Sequence, residues 1–261
     1  MKTSHILYYL LLVSFILMPS LTRADTVTVL SDVWYPVNGD PSASKPGYMV
    51  EIARTILANH GHTLDYRLAP WKSSILEVRR GNADCIIGAY KTDAPDFIFP
   101  DNAWGKAEFD FYTKSDSAWS YQGLSKLEDT RIGVIAGYSY SMELDQYIVE
   151  KRASQNIQVT SGDNALEQNL RKLFASRLDA IVSFKPVVME KLAQLKSDGK
   201  LSQTSGLRLA GTLEAPQLIY IACSPNKASS KYYTRIFSQG IVDLRQSGEL
   251  QKILSKYGIE D

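Results

Sequence analysis

The chain has 261 residues, 44% of them hydrophobic, with 29 basic and 28 acidic side chains and a formal net charge of +1. A balance this close to neutral argues against a nucleic-acid partner, because such binding needs a basic surface that releases counterions. The hydrophobic share is ordinary for a globular protein, and the length allows one large domain or two.

Met1 to Ala24 reads as a secretory leader. Lys2 opens it, an apolar run extends from Ile6 to Met18, and Thr22-Arg23-Ala24 ends it with small residues at the cleavage positions. The apolar run falls short of the roughly 20 residues that cross a bilayer. Cleavage after Ala24 is therefore expected, and the leader has no Cys to carry a lipid. The remaining 237 residues hold 27 basic and 28 acidic side chains. They are expected to be exported to the periplasm.

Thr26 to Ser31 alternates β-branched residues and predicts a first strand. A loop rich in Gly, Pro and Ser covers Trp34 to Gly47. Met49, Ile52, Ala53, Ile56 and Leu57 then recur at helical spacing up to a stop at Gly61. Leu64 to Leu68 predicts a strand, Ser73 to Arg80 a helix, and Ala83 to Ala89 an apolar strand covered on both faces. The pattern then restarts. Strands are expected at Phe109–Thr113, Arg131–Ala136, Ile157–Thr160 and Leu178–Ser183. Helices are expected at Ser139–Ala153, from Asn164 with Asn164 and Glu167 as a capping box, and at Lys185–Lys196. Leu218–Cys223 is one more strand. Two apolar helical faces follow, from Tyr233 to Leu244 and from Leu250 to Tyr257. Two successive βαβ runs imply two α/β lobes, with the C-terminal elements returning to complete the first.

Cys85 and Cys223 are the two cysteines. An oxidising compartment invites a disulfide between them, but both lie in apolar strand patterns where buried thiols are common, and the reading favours reduced cysteines. His60 and His62 flank Gly61 and read as exposed helix-end residues; no metal-ligand set is expected. There is no G-x-S-x-G elbow and no phosphate-cradling Gly-rich motif. No cofactor is expected.

Gly47-Tyr-Met-Val-Glu51, Gly81-Asn-Ala-Asp-Cys-Ile-Ile-Gly88, Ile132-Gly-Val-Ile-Ala-Gly137 and Leu173–Val182 occur in that order, and Leu244-Arg-Gln-Ser-Gly248 leads into Tyr257-Gly258. In this order and spacing the chain resembles the family 3 extracellular solute-binding proteins that serve polar amino-acid transporters. The resemblance implies a two-lobed type II periplasmic fold, with two doubly wound mixed sheets joined by two crossing strands. It places lobe 1 at 25–106 and 216–261 and lobe 2 at 107–215, with hinges near 103–109 and 212–217. It also implies a small-molecule ligand, a monomer, and an inner-membrane ABC permease or a sensor domain as partner.

The family's usual amino-acid grip is missing. Its carboxylate-binding Arg falls at Pro95 or Asp96, and no Arg occurs between Arg80 and Arg131. The Asp that holds the ligand ammonium falls at Phe184. Two charge-assisted contacts are lost, each about 1.5–3 kcal/mol, so an ordinary α-amino acid is disfavoured. Lys91 remains as a single point charge.

Strand ends face the cleft in such sheets, which makes Trp34, Tyr35, Trp71, Tyr90 and Trp104 candidates to stack on a ring or cage a cation, or simply to plug their own loops. Trp71 and Tyr90 are the stronger pair. Tyr138, Ser139 and Tyr140 lie between a strand and a helix, where backbone N–H groups attract anions; Ser139 reads as cap and ligand donor together. Lys91 and Asp93 share the turn after the Asp84–Gly88 strand, Phe184 gives an apolar wall, and Asp163 and Glu214 are weaker acidic candidates. The expected ligand-binding set is Trp34, Tyr35, Trp71, Tyr90, Lys91, Tyr138, Ser139, Tyr140 and Phe184. The leading expectation is a binding protein for a small polar or aromatic solute. The alternative is an enzyme on the same fold, such as a cyclohexadienyl dehydratase-like lyase, using Asp93, Asp163 or Glu214.

Overall fold

The computed structural model describes residues 24–162, 164–214 and 216–260. The leader up to Arg23 and the candidate Asp163 lie outside the described residues.

In lobe 1, β1 (Thr26–Ser31) lies between β2 (Thr63–Leu68) and β3 (Cys85–Ala89), all parallel. The crossovers are α1 (Tyr48–Asn59) and α2 (Trp71–Arg79). A parallel strand covered on both faces needs an unbroken apolar run, and Cys85-Ile86-Ile87 supplies one, fully buried. At the passage between the two sheets are β4 (Gly105–Ala107) and β5 (Phe109–Lys114).

Lobe 2 repeats the plan. The strands β6 (Ile132–Ile135), β7 (Ile157–Thr160) and β8 (Ala180–Phe184) run parallel, linked by α3 (Met142–Glu150) and α4 (Ala165–Phe174). After α5 (Lys185–Ser197), β9 (Leu207–Thr212) joins β5, and β5 pairs antiparallel with β8. The chain then returns through β10 (Gln217–Cys223), antiparallel to both β3 and β4. The two five-stranded sheets are ordered β2-β1-β3-β10-β4 and β7-β6-β8-β5-β9. Glu108 alone separates the sheets on the outward pass, and the return pass runs from Thr212 to Gln217.

The closing helices α6 (Ser230–Gln246) and α7 (Glu249–Ser255) pack on α1 of lobe 1. The approach is close because Gly240 has no side chain; a Cβ there would sit 2.5 Å from Ile56 Cγ2. Met49, Ile52, Ala53, Ile56 and Leu57 all turn inward, and burying each of the larger ones stabilises the lobe by about 1.5–3 kcal/mol.

The structure differs from the sequence expectation in five places. Cys85 and Cys223 form a disulfide, with Cα atoms 3.9 Å apart. The antiparallel return of β10 sets the two residues directly opposite each other, a non-local pairing that two apolar strand patterns do not reveal. His62 is buried, its ring between the Asp25 backbone N–H and the Tyr232 hydroxyl. The helix expected from Ser139 begins at Met142 and is capped by Ser141, whose hydroxyl accepts the Leu144 N–H. The capping box at Asn164 does not form, since Asn164 makes no side-chain cap bond and Glu167 pairs with Arg171 and Lys200. Finally, β9 is a strand that no residue pattern marked, and β4, inside the crossing that the resemblance places near 103–109, is too short to show in the residue pattern.

Candidate functional site

A cavity of about 490 Å³ lies between the lobes. Lobe 1 contributes the segment after β1, including Asp32, Trp34 and Tyr35, and the N-terminus of α2 with Trp71 and Lys72. Lobe 2 contributes Tyr138 and Tyr140 from the loop after β6, Glu167 from α4, and Glu190 and Lys191 from α5. Behind it is an inner compartment of about 20 Å³, lined by Asp32, Trp34, Asn38, Trp71, Gly88, Tyr90, Asp93, Tyr138 and Ser139.

Local chemistry holds each part in place. After β1 the chain turns at once, with the Trp34 N–H bonded to the Asn38 carbonyl at 2.8 Å. The Asn38 amide donates to Ser31 Oγ and to the Asp32 carbonyl, both at 2.7 Å. This turn presses the Trp34 ring edge-on to Tyr90 at 6.2 Å and against Phe184 of lobe 2 at 5.8 Å. In the loop before α3, Asp145 accepts the Ser139 hydroxyl at 2.6 Å and the Tyr140 N–H at 2.9 Å. The Tyr140 hydroxyl in turn accepts the Ile135 N–H at 2.7 Å.

Beside the Tyr90 ring edge-on to Phe109 of lobe 2 at 6.3 Å, three contacts across the cleft frame the cavity. The Tyr138 hydroxyl donates to Asp32 Oδ2 at 2.8 Å, and Trp34 meets Phe184. The third is Lys72, whose aliphatic stem lies over Gly137. Gly137 has a φ of +84°, and a Cβ there would fall 2.8 Å from Lys72 Cε. The positive φ favours glycine here, whereas the flexible Lys72 stem can move aside.

The electrostatics of the inner compartment are acidic. Asp93 Oδ2 accepts the Tyr90 N–H at 2.9 Å. Even so, burial pushes the Asp93 carboxyl up to about 7, with Asp145 and Asp32 adding repulsion. Burial and the neighbouring Asp32 raise the Tyr138 phenol well above its usual range.

Seven of the nine expected ligand-binding residues line one or both cavities: Trp34, Tyr35, Trp71, Tyr90, Tyr138, Ser139 and Tyr140. Phe184 stands behind Trp34 and lines neither. Lys91 also lines neither; it is exposed, and its ammonium lies 5.1 Å over the Tyr220 ring. Trp104 packs on Phe237 away from the cleft, and Glu214 is exposed outside it. No arginine lines either cavity among the described residues. At one of the two positions where the resemblance places an Arg, Pro95 or Asp96, the Asp96 carboxylate makes a bidentate pair with Arg79 at 2.7 and 2.9 Å. Sequence reasoning missed Asp32, Lys72, Glu190 and Lys191. The strand-end rule that found Trp34 would have found Asp32, whereas the lobe 2 helix residues carry no such signal.

No protein-family model matches the chain, and no curated protein matches it. Solved structures do. A histidine kinase sensor domain with similarity to periplasmic binding proteins superposes with a TM-score of 0.72 at 21% identity, covering 92% of this chain and 99% of that one. An ancestral arginine-binding protein bound to arginine gives 0.69 at 18% identity, covering 90% and 99%. A structure from glutathione import through GshT and the cystine ABC importer TcyBC of Streptococcus mutans gives 0.72 at 15%, covering 90% and 95%. At these identities the likeness shows the fold, which is that of the two-lobed periplasmic binding proteins.

Proposed function

We propose that the chain captures a small polar or aromatic solute between its lobes in the periplasm and presents it to a membrane partner, an ABC permease or a sensor. The observation that carries this reading is the cavity of about 490 Å³ walled by aromatic side chains from both lobes. That size and apolar lining with a few polar groups suit a small ligand. Lobe 1 (25–106 and 216–261) and lobe 2 (107–215) close as units about the two crossings near 103–109 and 212–217. The ligand drives closure by touching both lobes at once, since only differential affinity moves the equilibrium. The disulfide suits an oxidising compartment.

An ordinary α-amino acid is disfavoured. Asp96 is tied to Arg79, Phe184 replaces the ammonium partner, and Lys91 lies over Tyr220. Each lost charge-assisted contact costs tenfold or more in affinity.

The second reading is a lyase, favoured by one observation: a half-buried carboxyl pushed up to about 7, Asp93, lines the inner compartment, as acid–base catalysts often do. Against it, among the described residues no arginine lines the cleft to hold a carboxylate substrate.

A thermal-shift panel on residues 25–261 tests both, using amino acids, dicarboxylates, polyamines, aromatic acids and prephenate. A ligand at 100 times its Kd stabilises the fold by about 2.7 kcal/mol. Shifts are expected with solutes lacking the α-amino-acid head group. A strong shift with ordinary amino acids would overturn the argument from the missing clamp, and turnover of prephenate would establish the lyase.

A further inference from the structure

We propose that the inner compartment is a cation subsite, which takes a small organic ammonium or amidinium group with no carboxylate beside it. This rests on the binding reading above and adds the chemistry of the ligand's head group.

The compartment is rich in acceptors and poor in donors. Asp32 and Asp93 both line it, and among the described residues no Lys or Arg does. Asp145 stands close behind, already holding the Ser139 hydroxyl and the Tyr140 N–H. Tyr90 lines the compartment, is only 5% exposed, and has a phenol oxygen with no hydrogen-bond partner in the protein. A buried polar atom without a partner costs free energy unless a ligand or water satisfies it.

The walls are aromatic: Trp34, Trp71, Tyr90 and Tyr138. A cation with several N–H donors matches such a site twice, through charge-assisted hydrogen bonds to the carboxylates and attraction to the ring faces. Among the described residues no His, Cys, Asp and Glu side chains converge into a metal-binding group, so the cation is organic. The Asp93 carboxyl, desolvated and facing Asp32, Asp145 and the Tyr90 N–H, is a group whose ionised form an incoming cation stabilises.

The Tyr138 hydroxyl now gives Asp32 the bond that a ligand N–H would give. Its displacement joins the inner compartment to the larger cavity, where the rest of the ligand lies beside Trp71 and Tyr35. Lys72, held over Gly137, lines the outer cavity. It disfavours a second positive charge at that point.

Isothermal titration at pH 8 with 2-phenylethylamine tests the proposal, against neutral 2-phenylethanol, anionic 3-phenylpropanoate and zwitterionic phenylalanine. The amine should bind at least about tenfold more tightly than any of the three, a difference of 1.4 kcal/mol or more. Asp93→Asn and Asp32→Asn should each weaken the amine by a similar factor. Wild-type affinity should fall several-fold from pH 8 to pH 6 as Asp93 takes up its proton, and Asp93→Asn should abolish that dependence. Equal binding of 2-phenylethanol, or affinity unchanged in both variants, overturns the cation subsite and leaves solute capture standing. Tighter binding of phenylalanine overturns it together with the argument from the missing clamp. Silence from the amine overturns it alone if another panel solute binds, and silence throughout the panel overturns both readings.

Discussion

Replacing Cys85 and Cys223 by alanine should lower the unfolding free energy by about 5 kcal/mol, the chain-entropy value for a loop this long. The two cysteines are 138 residues apart, and the loop they close contains all of lobe 2. The bond therefore ties the returning strand β10 to β3 and restricts the unfolded chain over more than half its length. It also sits in a fully buried core, where both residues are inaccessible, so the alanine pair leaves a small cavity as well. Guanidinium unfolding of both forms measures the difference, and thiol titration of the native wild type should find no free cysteine. A loss under about 1 kcal/mol, well below the 2–5 kcal/mol typical of removing a native disulfide, would show that the sheet pairing alone holds the return strand.

The second large effect belongs to Asp93. Its carboxyl is pushed up to about 7 in the folded protein, first by burial and then by Asp145 and Asp32. An unfolded Asp titrates near 3.9. Between about pH 4 and pH 7 the folded state keeps a proton that the unfolded state releases, so stability falls as pH rises through this window and levels off above it. At about 1.4 kcal/mol for each pH unit of that window, this one residue contributes a decline of a few kcal/mol. Asp93→Asn keeps an oxygen for the Tyr90 N–H and removes the charge. The variant should lack the decline and exceed the wild type in stability at pH 8. Urea unfolding across pH 4–8 measures this, and parallel profiles for the two proteins would refute the buried-charge account.

Much of the architecture was legible because local periodicity carries it. The two βαβ runs show as apolar strands separated by helices at 3.6-residue spacing. The short strands were not legible. β4 has three residues, and β9 carries Arg208 and Gly211 within six, so each is a strand only because β10 or β5 lies beside it. The start of α3 was misplaced because Ser139 and Ser141 are equally good caps. The choice is made by Asp145, which takes the Ser139 hydroxyl and leaves Ser141 to cap.

The site divides in the same way. Aromatic residues at strand ends were found because strand ends converge on the cleft. Lys91 follows the same strand, yet its side chain settles on Tyr220, an outcome fixed by the antiparallel neighbour β10. Glu167, Glu190 and Lys191 reach the cavity from lobe 2 helices, and nothing in their own stretches of sequence marks which helix faces meet lobe 1. The charge repulsion around Asp93 is equally non-local, since its two partners are 61 and 52 residues away in the chain.

The central claim, capture of a solute by both lobes together, is tested most directly by hydrogen–deuterium exchange with and without the panel solute that gives the largest thermal shift. Protection is predicted in segments 32–40 and 70–75 of lobe 1 and, at the same ligand concentration, in 135–141 and 183–191 of lobe 2. Protection in one lobe only, or away from these four segments, would contradict the account.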